Sequence, residues 1–469
     1  MEDVLASRYA SAEFIAIWSP EAKIKLERQF WVQVLKAQQK NGVEVTAAAI
    51  AAYENQIENV DLAAIAAREK ALKHDVKARI DEFNELAREE QIHKGMTSRD
   101  LTENIEQAQI LSSLNLVRDR VIALLNNLAI KADQYSDLAI VGRSHNVAAQ
   151  LTTLGKRFAT AADELLIGYA ALTELIDRYP ARGIKGPVGT NQDMANLFDQ
   201  DLAKVKEFES ELISSLGFNQ VLDSVGQVYP RSLDYEVATL LYQLSAPISS
   251  LAITIRLMAG QELVTEGFLE GQVGSSAMPH KMNARSSERI NGLHEVLNGY
   301  VTMLAGITGK QWNEGDVSCS VVRRVALPGM FFAFDGAVQT ALTVLSGFNV
   351  FESQVKAELD RYLPFLLTTE IMLLLVKRGV GRETAHKQVQ AHALAAAENI
   401  RAGKANNLFE LIAADASLQV TVSDLTALAQ NSETQLAGAK AQVHAVVGKV
   451  NKIVSANKAA ASYQPGAIL

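Results

Sequence analysis

The sequence contains very little of what several kinds of chemistry require. Cys319 is the only cysteine among 469 residues, which excludes an intrachain disulfide and a thiolate metal site. The eight histidines are dispersed, with no His-x-x-x-His pair, and no acidic cluster has the spacing of metal ligands. No glycine fingerprint of a dinucleotide site follows a strand pattern. We therefore expect neither a metal ion nor a cofactor.

Charge and hydropathy exclude further classes of protein. The formal net charge of −8 argues against a nucleic-acid partner. The most apolar short run, residues 371–376, is much shorter than a membrane span, and residues 1–4 lack the basic region of a signal peptide. We expect a cytoplasmic protein with no membrane partner. Its 48% hydrophobic residues can bury a large core, divided into two or three domains.

Apolar residues recur at three- and four-residue steps in five long segments between about residues 103 and 350, which is typical of amphipathic helices. No run alternates convincingly with period two, so little sheet is expected. We predict an all-α fold with three helical domains: 1–105, a central long five-helix bundle at 106–360, and 361–469. Such long helices carry more apolar surface than one bundle can hide, which favours self-association.

The most informative stretch is residues 274–283, Gly-Ser-Ser-Ala-Met-Pro-His-Lys-Met-Asn, which we call the signature segment. It places the hydroxyls of Ser275 and Ser276, the ammonium of Lys281 and the amide of Asn283 between two helical segments. Such a loop can bring donors to an anion and a hydroxyl to an acidic carbon. A Ser-Ser pair alone would indicate an ordinary surface loop, but the ten-residue pattern is far more specific.

A second polar cluster, residues 93–100, precedes the first long helix. Thr97 or Ser98 together with Asp100 is typical of a helix cap. A cap does not explain His93, and helix N-termini also bind carboxylates, so cap and ligand site can be the same atoms.

Two clusters contain further histidines. His145 follows an Arg and a Ser in a turn, bounded by Gly142, that we place between two long helices. A lone histidine is more often structural than catalytic, but this location favours a site. Residues 73–75, Lys-His-Asp, lie on a predicted helix of the first domain, where an adjacent acid can keep a histidine charged; the same trio is common on solvated faces.

Two clusters precede the later long helices. Residues 226–231 form a turn that contains Gln227, and residues 311–324 end at Arg323 and Arg324. Two arginines with nearby serines would suit a phosphate dianion, whereas the alternative is a solvated basic turn.

Together these motifs resemble the adenylosuccinate lyase family over nearly the whole chain, from residue 8 to residue 366. The signature segment is similar to the G-S-S-x-M-P-x-K-x-N loop of the fumarase/aspartase superfamily, which adenylosuccinate lyase shares with argininosuccinate lyase. The Arg8-Tyr9 start, the Lys-His-Asp trio and the Ser-Glu-Arg at 287–289 favour the adenylosuccinate branch.

The resemblance implies a role for each candidate residue. Ser275 would be the general base, His145 the general acid, and His74 the histidine that supports the acid. The succinyl carboxylates would be held by Thr97, Ser98, Lys281 and Asn283, with Ser276 beside them. The phosphate end would be held by Arg8, Tyr9, Arg289, Ser320 and Arg324. Further substrate contacts would come from Gln227, Lys73, Asp75 and His93.

The chain departs from the family pattern at three places. Lys73 replaces the usual arginine before His-Asp, and Val147 and Ala148 replace residues that are often Gln and Pro. Gly315 stands where an arginine often follows the Trp-x-Glu motif.

The implied activity is elimination of fumarate from adenylosuccinate, giving AMP, and from the succinyl-aminoimidazole-carboxamide ribonucleotide (SAICAR), giving the carboxamide ribonucleotide. The implied assembly is a homotetramer whose sites each draw on three subunits. Two alternatives are argininosuccinate lyase and a catalytically silent homologue of the kind known among lens crystallins. Intact Ser275, His145 and Lys281 count against silence.

Overall fold

A computed structural model describes residues 3–267, 277–278 and 280–466, except for the side chains of residues 432 and 433. Six helices precede the long ones: α1 Val4–Arg8, α2 Ala12–Trp18, α3 Pro20–Lys40, α4 Ala47–Glu54, α5 Leu62–Leu72 and α6 Asp75–Ala87. All are short except α3, which buries Phe30, Trp31 and Leu35 on one face.

The five predicted long helices are confirmed: α7 Ser98–Gln134, α8 Leu154–Arg178, α11 Ser232–Gly260, α12 Arg285–Ala305 and α13 Cys319–Gly347. Between α8 and α11 lie two shorter helices, α9 Gln192–Leu197 and α10 Leu202–Ser215. The apolar stripes face inward because burying one face of each helix supplies most of its stability. Leu114, Val121 and Leu128 of α7, for example, are completely buried.

Between residues 351 and 466 the structure describes seven helices: α14 Glu352–Leu366, α15 Thr368–Lys377, α16 Arg382–Arg401, α17 Leu408–Ala414, α18 Val422–Gln430, α19 Ser432–Ala456 and α20 Lys458–Ala461. Helices α15 to α18 enclose a small core of their own. Helix α19 instead returns to the long helices, because its Val443, Val446 and Val450 belong to the main core.

Sheet is scarce in the described residues, as predicted, and its two strand pairs lie near predicted site residues. Strands β1 (Ala139–Ser144) and β2 (Val147–Thr153) form an antiparallel hairpin between α7 and α8. Strand β3 (Val264–Thr265), which precedes the signature segment, pairs with β4 (Asn349–Val350), which follows α13. The second pair fixes the chain at the point where it leaves α11.

The core has two large parts. The first joins the five long helices, and the second joins the α3–α6 region with side chains from α9 and α10, such as Met194 and Phe208. Helices α11 and α13 are long and apolar enough to cross a membrane, but 61% and 89% of their most apolar windows are buried in the protein. Such burial is typical of core helices in a soluble protein.

Candidate active site

The N-terminus of α7 is anchored by a buried carboxylate. Thr97 is the N-cap, as predicted, and its N–H donates to Asp100 Oδ2 at 2.8 Å. The other oxygen of Asp100 accepts from Arg182 Nη1 at 2.5 Å and from the backbone N–H groups of Lys185 and Gly186 at 3.0 Å each. Asp100 and Arg182 are completely buried, so this pairing holds the residues 182–186 loop against the helix end.

The Lys-His-Asp trio forms the junction of α5 and α6. Lys73 ends α5 in the left-handed conformation (φ 56°), and His74 is the N-cap of α6, where its Nδ1 accepts from the Lys77 N–H at 3.3 Å. We expected His74 on a helix; the structure places it immediately before α6, where it caps the helix. Lys73 and His74 are both exposed.

Asp75 links this junction to α13. Its Oδ2 lies 3.6 Å from Arg324 Nη2 and 3.5 Å from Arg79 Nη2. Burial raises the pKa of Asp75, but Arg79, the Val76 N–H and Arg324 outweigh burial, so the pKa is lowered overall. The ionised Asp75 therefore helps to orient Arg324.

Ser98, Ser320 and Arg324 line one polar cleft of about 50 Å³. Arg99 Nη2 donates to Ser320 Oγ at 3.2 Å across it. The predicted pair of phosphate-binding arginines is wrong for one member: the Arg323 side chain is only 2% exposed, whereas that of Arg324 is 70% exposed. Arg323 is neutralised by buried carboxylates, so of these two arginines Arg324 is the one available to an anion.

His93 is held in a defined tautomer. It adopts the left-handed conformation (φ 70°), and Trp31 Nε1 donates to its Nδ1 at 3.1 Å. Indole is a donor only, so Nδ1 is the acceptor and a neutral His93 carries its proton on Nε2. Burial lowers the pKa of His93 to about 4, against the opposing effect of Asp100. His93 is therefore a neutral donor at physiological pH.

Gln227 lies beside the same helix end. Its N–H donates to Glu314 O at 2.6 Å, and the preceding Gly226 O accepts from Arg182 Nη2 at 3.0 Å. The neighbouring Gly315 has φ 117°, a conformation that an L side chain rarely adopts. An arginine at position 315 would require a different backbone here, which gives a physical reason for this departure from the family pattern.

The residues described so far form one group, which we call the α7 end cluster. Its members are Lys73, His74, Asp75, His93, Thr97, Ser98, Gln227, Ser320 and Arg324. They come from four separate parts of the sequence, and a single chain brings them together.

A second group, which we call the α12 start cluster, consists of Arg8, Tyr9, Lys281, Asn283 and Arg289. The guanidinium of Arg289 lies 5.6 Å from the Tyr9 ring centroid and that of Arg8 lies 6.0 Å from it. Lys281 is exposed, and Lys281 and Asn283 line a wide cleft before α12. This cluster combines three cations with a phenol and an amide.

Ser275 and Ser276 lie outside the described residues, but both flanks of the signature segment are anchored. On the near side, Gly267 packs so closely on Gly347 that an added Cβ would come within 2.7 Å of Gly347 O. On the far side, Glu266 accepts from the N–H groups of Ser286 and Ser287, each at 2.8 Å. Glu266 thus caps α12 and ties the end of the segment to its beginning.

His145 lies in a turn between two long helices, as predicted, and this turn is the tip of the β1–β2 hairpin, whose strands were not predicted. His145 and Asn146 both have positive φ (51° and 61°), the requirement of the two-residue type I′ turn. His145 is exposed, while Arg143 pairs with Glu358 of α14 and fixes the hairpin. We missed the strands because a two-stranded hairpin depends on tertiary packing for its stability.

The α7 end cluster lies far from the other two locations in one chain. Helix α7 has 37 residues and spans about 55 Å, with Ser98 at one end and the hairpin after the other. The ten residues from Tyr135 to His145 reach back at most about 35 Å, so His145 stays about 20 Å or more from Ser98. On α13, Ser320 lies about 24 Å from Gly336, on which Tyr9 packs. One chain therefore cannot bring all candidates to one small molecule.

A buried ion network supports the α7 end cluster, and sequence reasoning missed it. Arg231 Nη2 bonds Glu103 at 2.6 Å, and Arg323 bonds Asp234 at 2.8 Å and Glu106 at 2.6 Å. The partners lie more than 80 residues apart in sequence, so spacing could not pair them. The available signal was charged residues near the starts of otherwise apolar helices.

In the part of the chain that the structure describes, no group of three or more His, Cys, Asp or Glu side chains is placed to hold a metal ion. The donors at the α7 end cluster are hydroxyls, a neutral imidazole, a helix N-terminus and a guanidinium. These groups suit carboxylates and phosphates.

Two known family models match most of this chain. The family model described as Lyase matches residues 10–299, and that described as Adenylosuccinate lyase C-terminus matches residues 364–446. The chain is 32% identical to the adenylosuccinate lyase of Schistosoma mansoni, covering 88% of this chain and 87% of that protein. It is 31% identical to that of Saccharomyces cerevisiae, covering 95% and 93%.

Among solved structures, the chain has the fold of the 3-carboxy-cis,cis-muconate lactonizing enzyme from Pseudomonas putida. The TM-score is 0.84 at 20% identity, covering 97% of this chain and 100% of that one. A likeness at this identity establishes the fold alone. Because the closer sequence matches extend from the N-terminal helices through the C-terminal domain, the chain belongs to the adenylosuccinate lyase family of the fumarase/aspartase superfamily.

Proposed function

We propose that this protein is an adenylosuccinate lyase that eliminates fumarate from adenylosuccinate, giving AMP, and from SAICAR, giving the carboxamide ribonucleotide. The observation that carries this function is the α7 end cluster of this family member: its surface carries the N-terminus of α7 and an exposed Arg324, and a neutral, largely buried His93 lies near Asp100 of the same helix end. Such a surface fits a substrate with carboxylates and a phosphate.

The reaction begins with proton abstraction at the succinyl carbon. Ser275 takes this proton as general base, and the negative charge that develops on the adjacent carboxylate is stabilised by fixed donors. Those donors are Thr97, Ser98, Lys281 and Asn283, with Ser276 beside them. A serine hydroxyl is a poor base in water, so it requires a cationic site from which water is excluded.

The carbon–nitrogen bond then breaks as the electron pair from the C–H bond forms the double bond of fumarate. His145 gives its proton to the departing nitrogen, and His74 supports the charge of that acid. The exposed position of His145 on a rigid turn leaves it accessible to substrate. The step needs no redox cofactor because the elimination involves no net oxidation or reduction.

The remaining candidates hold the substrate. Arg8, Tyr9 and Arg289 with Ser320 and Arg324 bind the phosphate, Gln227 orients the middle of the molecule, and Lys73 and Asp75 lie beside His74. His93 donates its Nε2 proton to a substrate oxygen, because Trp31 occupies Nδ1. The Trp31 indole thus sets the direction in which His93 donates.

Separation of the candidates in one chain supports a homotetramer with sites built from three subunits. The α7 end cluster, the α12 start cluster and His145 would each come from a different chain, brought together by antiparallel packing of the long helices. The faces available for this packing carry exposed apolar side chains: Ile253, Leu257, Val296, Val321 and Val325. We place the enzyme in the cytoplasm.

The direct test is to incubate the purified protein separately with adenylosuccinate, SAICAR and argininosuccinate and to measure fumarate. We expect fumarate from the first two alone. Fumarate from argininosuccinate would make the protein a different member of the superfamily, and none from any substrate would favour a silent homologue. Ser275→Ala protein, which lacks the general base, is the control for contaminating lyase.

A further inference from the structure

A buried aspartate holds the chain immediately after Tyr9. Asp335 lies in the middle of α13, and its side chain is completely buried. The backbone N–H of Ser11 donates to Asp335 Oδ2 at 2.6 Å. Ser11 is the N-cap of α2 and lies two residues after Tyr9, so this bond fixes where the segment that carries Arg8 and Tyr9 enters the bundle.

Gly336, the next residue of α13, packs directly against Tyr9 of the same segment. A Cβ added to Gly336 would come within 2.6 Å of Tyr9 Cβ and 3.3 Å of Tyr9 O. Real Cβ atoms essentially never approach this closely, so Tyr9 lies against the helix only because residue 336 is glycine. Asp335 and Gly336 together form a seat for residues 8–11.

Tyr463, near the C-terminal end of the described residues, also contacts this region. Gln339, one turn along α13, donates to Asp335 Oδ1 at 3.1 Å and to the Tyr463 hydroxyl at 2.5 Å. The Tyr463 ring centroid lies 3.4 Å from the Arg120 guanidinium. Arg120 bonds Glu13 of α2 at 2.9 Å and lies 3.7 Å from Asp335. Tyr463 thus contacts Gln339 and Arg120, and these two side chains contact Asp335 and α2, which hold the segment that contains Arg8 and Tyr9.

We propose that Asp335, Gly336, Gln339 and Tyr463 are positioning residues that set the Arg8–Tyr9 segment for phosphate binding. The C-terminal end of the chain then controls substrate affinity without touching the substrate. This inference rests on the proposed function, since it assumes that Arg8 and Tyr9 meet the phosphate.

The energetics favour a positioning role over a simple anchor. Burial raises the pKa of Asp335, while the Ser11 N–H, Gln339 and Arg120 oppose that rise. A buried carboxylate is costly, and a simple contact between helices could be made by apolar residues at lower cost. The short bond to the Ser11 N–H fixes a direction, which an apolar contact would not.

The test compares full-length enzyme variants by kcat, KM for adenylosuccinate, and the inhibition constants of AMP and adenosine. Tyr463→Ala removes both contacts, Tyr463→Phe keeps the ring under Arg120 but loses the hydroxyl, and Gly336→Ala pushes Tyr9 from its seat. The matched control is Gly438→Ala, an exposed glycine of α19 with nothing within 4 Å of the added Cβ.

We expect Tyr463→Ala and Gly336→Ala to raise KM and the AMP inhibition constant by about tenfold, equivalent to about 1.4 kcal/mol, with kcat within about twofold. Tyr463→Phe should give a smaller rise in the same two constants, which keeps the test valid if either larger change impairs folding. The adenosine inhibition constant should not change, because adenosine has no phosphate. Gly438→Ala should match wild type throughout.

Equal increases in the AMP and adenosine constants, or a wild-type AMP constant in Tyr463→Phe together with a loss of thermal stability, would overturn the proposal and leave a structural anchor. Failure of the proposed function would be seen separately, as absence of fumarate production by the wild-type enzyme. The two failures therefore cannot be confused.

Discussion

The α7 end cluster and the hairpin tip both carry predicted catalytic residues, yet they are built in opposite ways. At the α7 end, exposed candidates rest on buried charges, among which Asp100, Glu103, Asp234 and Arg231 are almost completely inaccessible to solvent. At the hairpin tip, His145 is exposed and the turn is held by backbone conformation and by Arg143. The comparison fits the proposed site, in which one part is preassembled in a single chain and the other parts would come from neighbouring subunits.

Because of this difference, substitutions at the α7 end should reduce stability, whereas substitution of His145 should reduce catalysis alone. Removing a charge from the α7 end leaves its partner buried and unpaired, which affects folding. Removing His145 leaves no buried group unpaired. Substitutions in the two regions should therefore fail for different reasons, and the predictions below are ordered by the size of the expected effect.

His145→Gln should reduce kcat by about a hundredfold or more, because proton transfer by a general acid contributes that much. The thermal unfolding midpoint should stay at the wild-type value, since the side chain is exposed. Asn146→Gly, the other residue of the turn, is the control: glycine keeps the positive φ and should keep the activity. Activity of His145→Gln within about tenfold of wild type would remove His145 from its role.

Asp100→Ala should destabilise the folded chain by about 3–5 kcal/mol, because Arg182 would remain buried without its carboxylate. Urea unfolding at fixed protein concentration measures this change. The control is Asp360→Ala, which breaks the exposed Lys356–Asp360 pair and should have no measurable effect. Equal effects in the two variants would mean that the buried network does not support the α7 end.

Acid sensitivity should depend on His93. The folded-state pKa of about 4 lies below the ordinary value of 6.5, so as the pH falls from 6.5 towards 4 only the unfolded chain gains this proton. The free energy of unfolding should then fall by about 2 kcal/mol between pH 7 and pH 5 from this group alone. His93→Gln should lose this share of the pH dependence, whereas His386→Gln, on an exposed position of α16, should retain it.

Arg324→Ala should raise KM for adenylosuccinate by about tenfold to a hundredfold, since a charge-assisted bond to phosphate contributes about 1.5–3 kcal/mol. It should affect far less a substrate analogue that lacks the phosphate. Arg382→Ala, which removes a guanidinium of similar exposure on α16, serves as the control. Equal losses for both substrates would identify Arg324 as structural.

Much of the fold could be predicted from the sequence because the five long helices repeat their apolar residues at helical spacing. The hairpin could not: the residues from 139 to 153 alternate weakly, and the packing that stabilises the hairpin comes from α8, α14 and α19. The α7 cap was predictable because Thr97 and Asp100 are neighbours. The buried partner of Asp100, Arg182, was not, because nothing in the local sequence specifies a contact 82 residues away.

The candidate site divides in the same way. Local motifs indicated the chemistry of His74, His93, Ser98 and Arg324, and the fold places these residues in one cluster. Sequence alone could not establish that Arg323 is buried, that Trp31 fixes the tautomer of His93, or that Asp335 seats the Tyr9 segment. Each of these depends on contacts between residues distant in the chain.

The central claim, that each site takes its acid and its base from different chains, is tested most directly by complementation. Ser275→Ala and His145→Gln proteins, each inactive alone, are mixed in equal amounts under conditions that allow subunit exchange. Random assembly should leave about a quarter of the sites with neither substitution, so about a quarter of the wild-type activity should return. No recovery after confirmed exchange would show that both groups come from one chain, which would contradict the account.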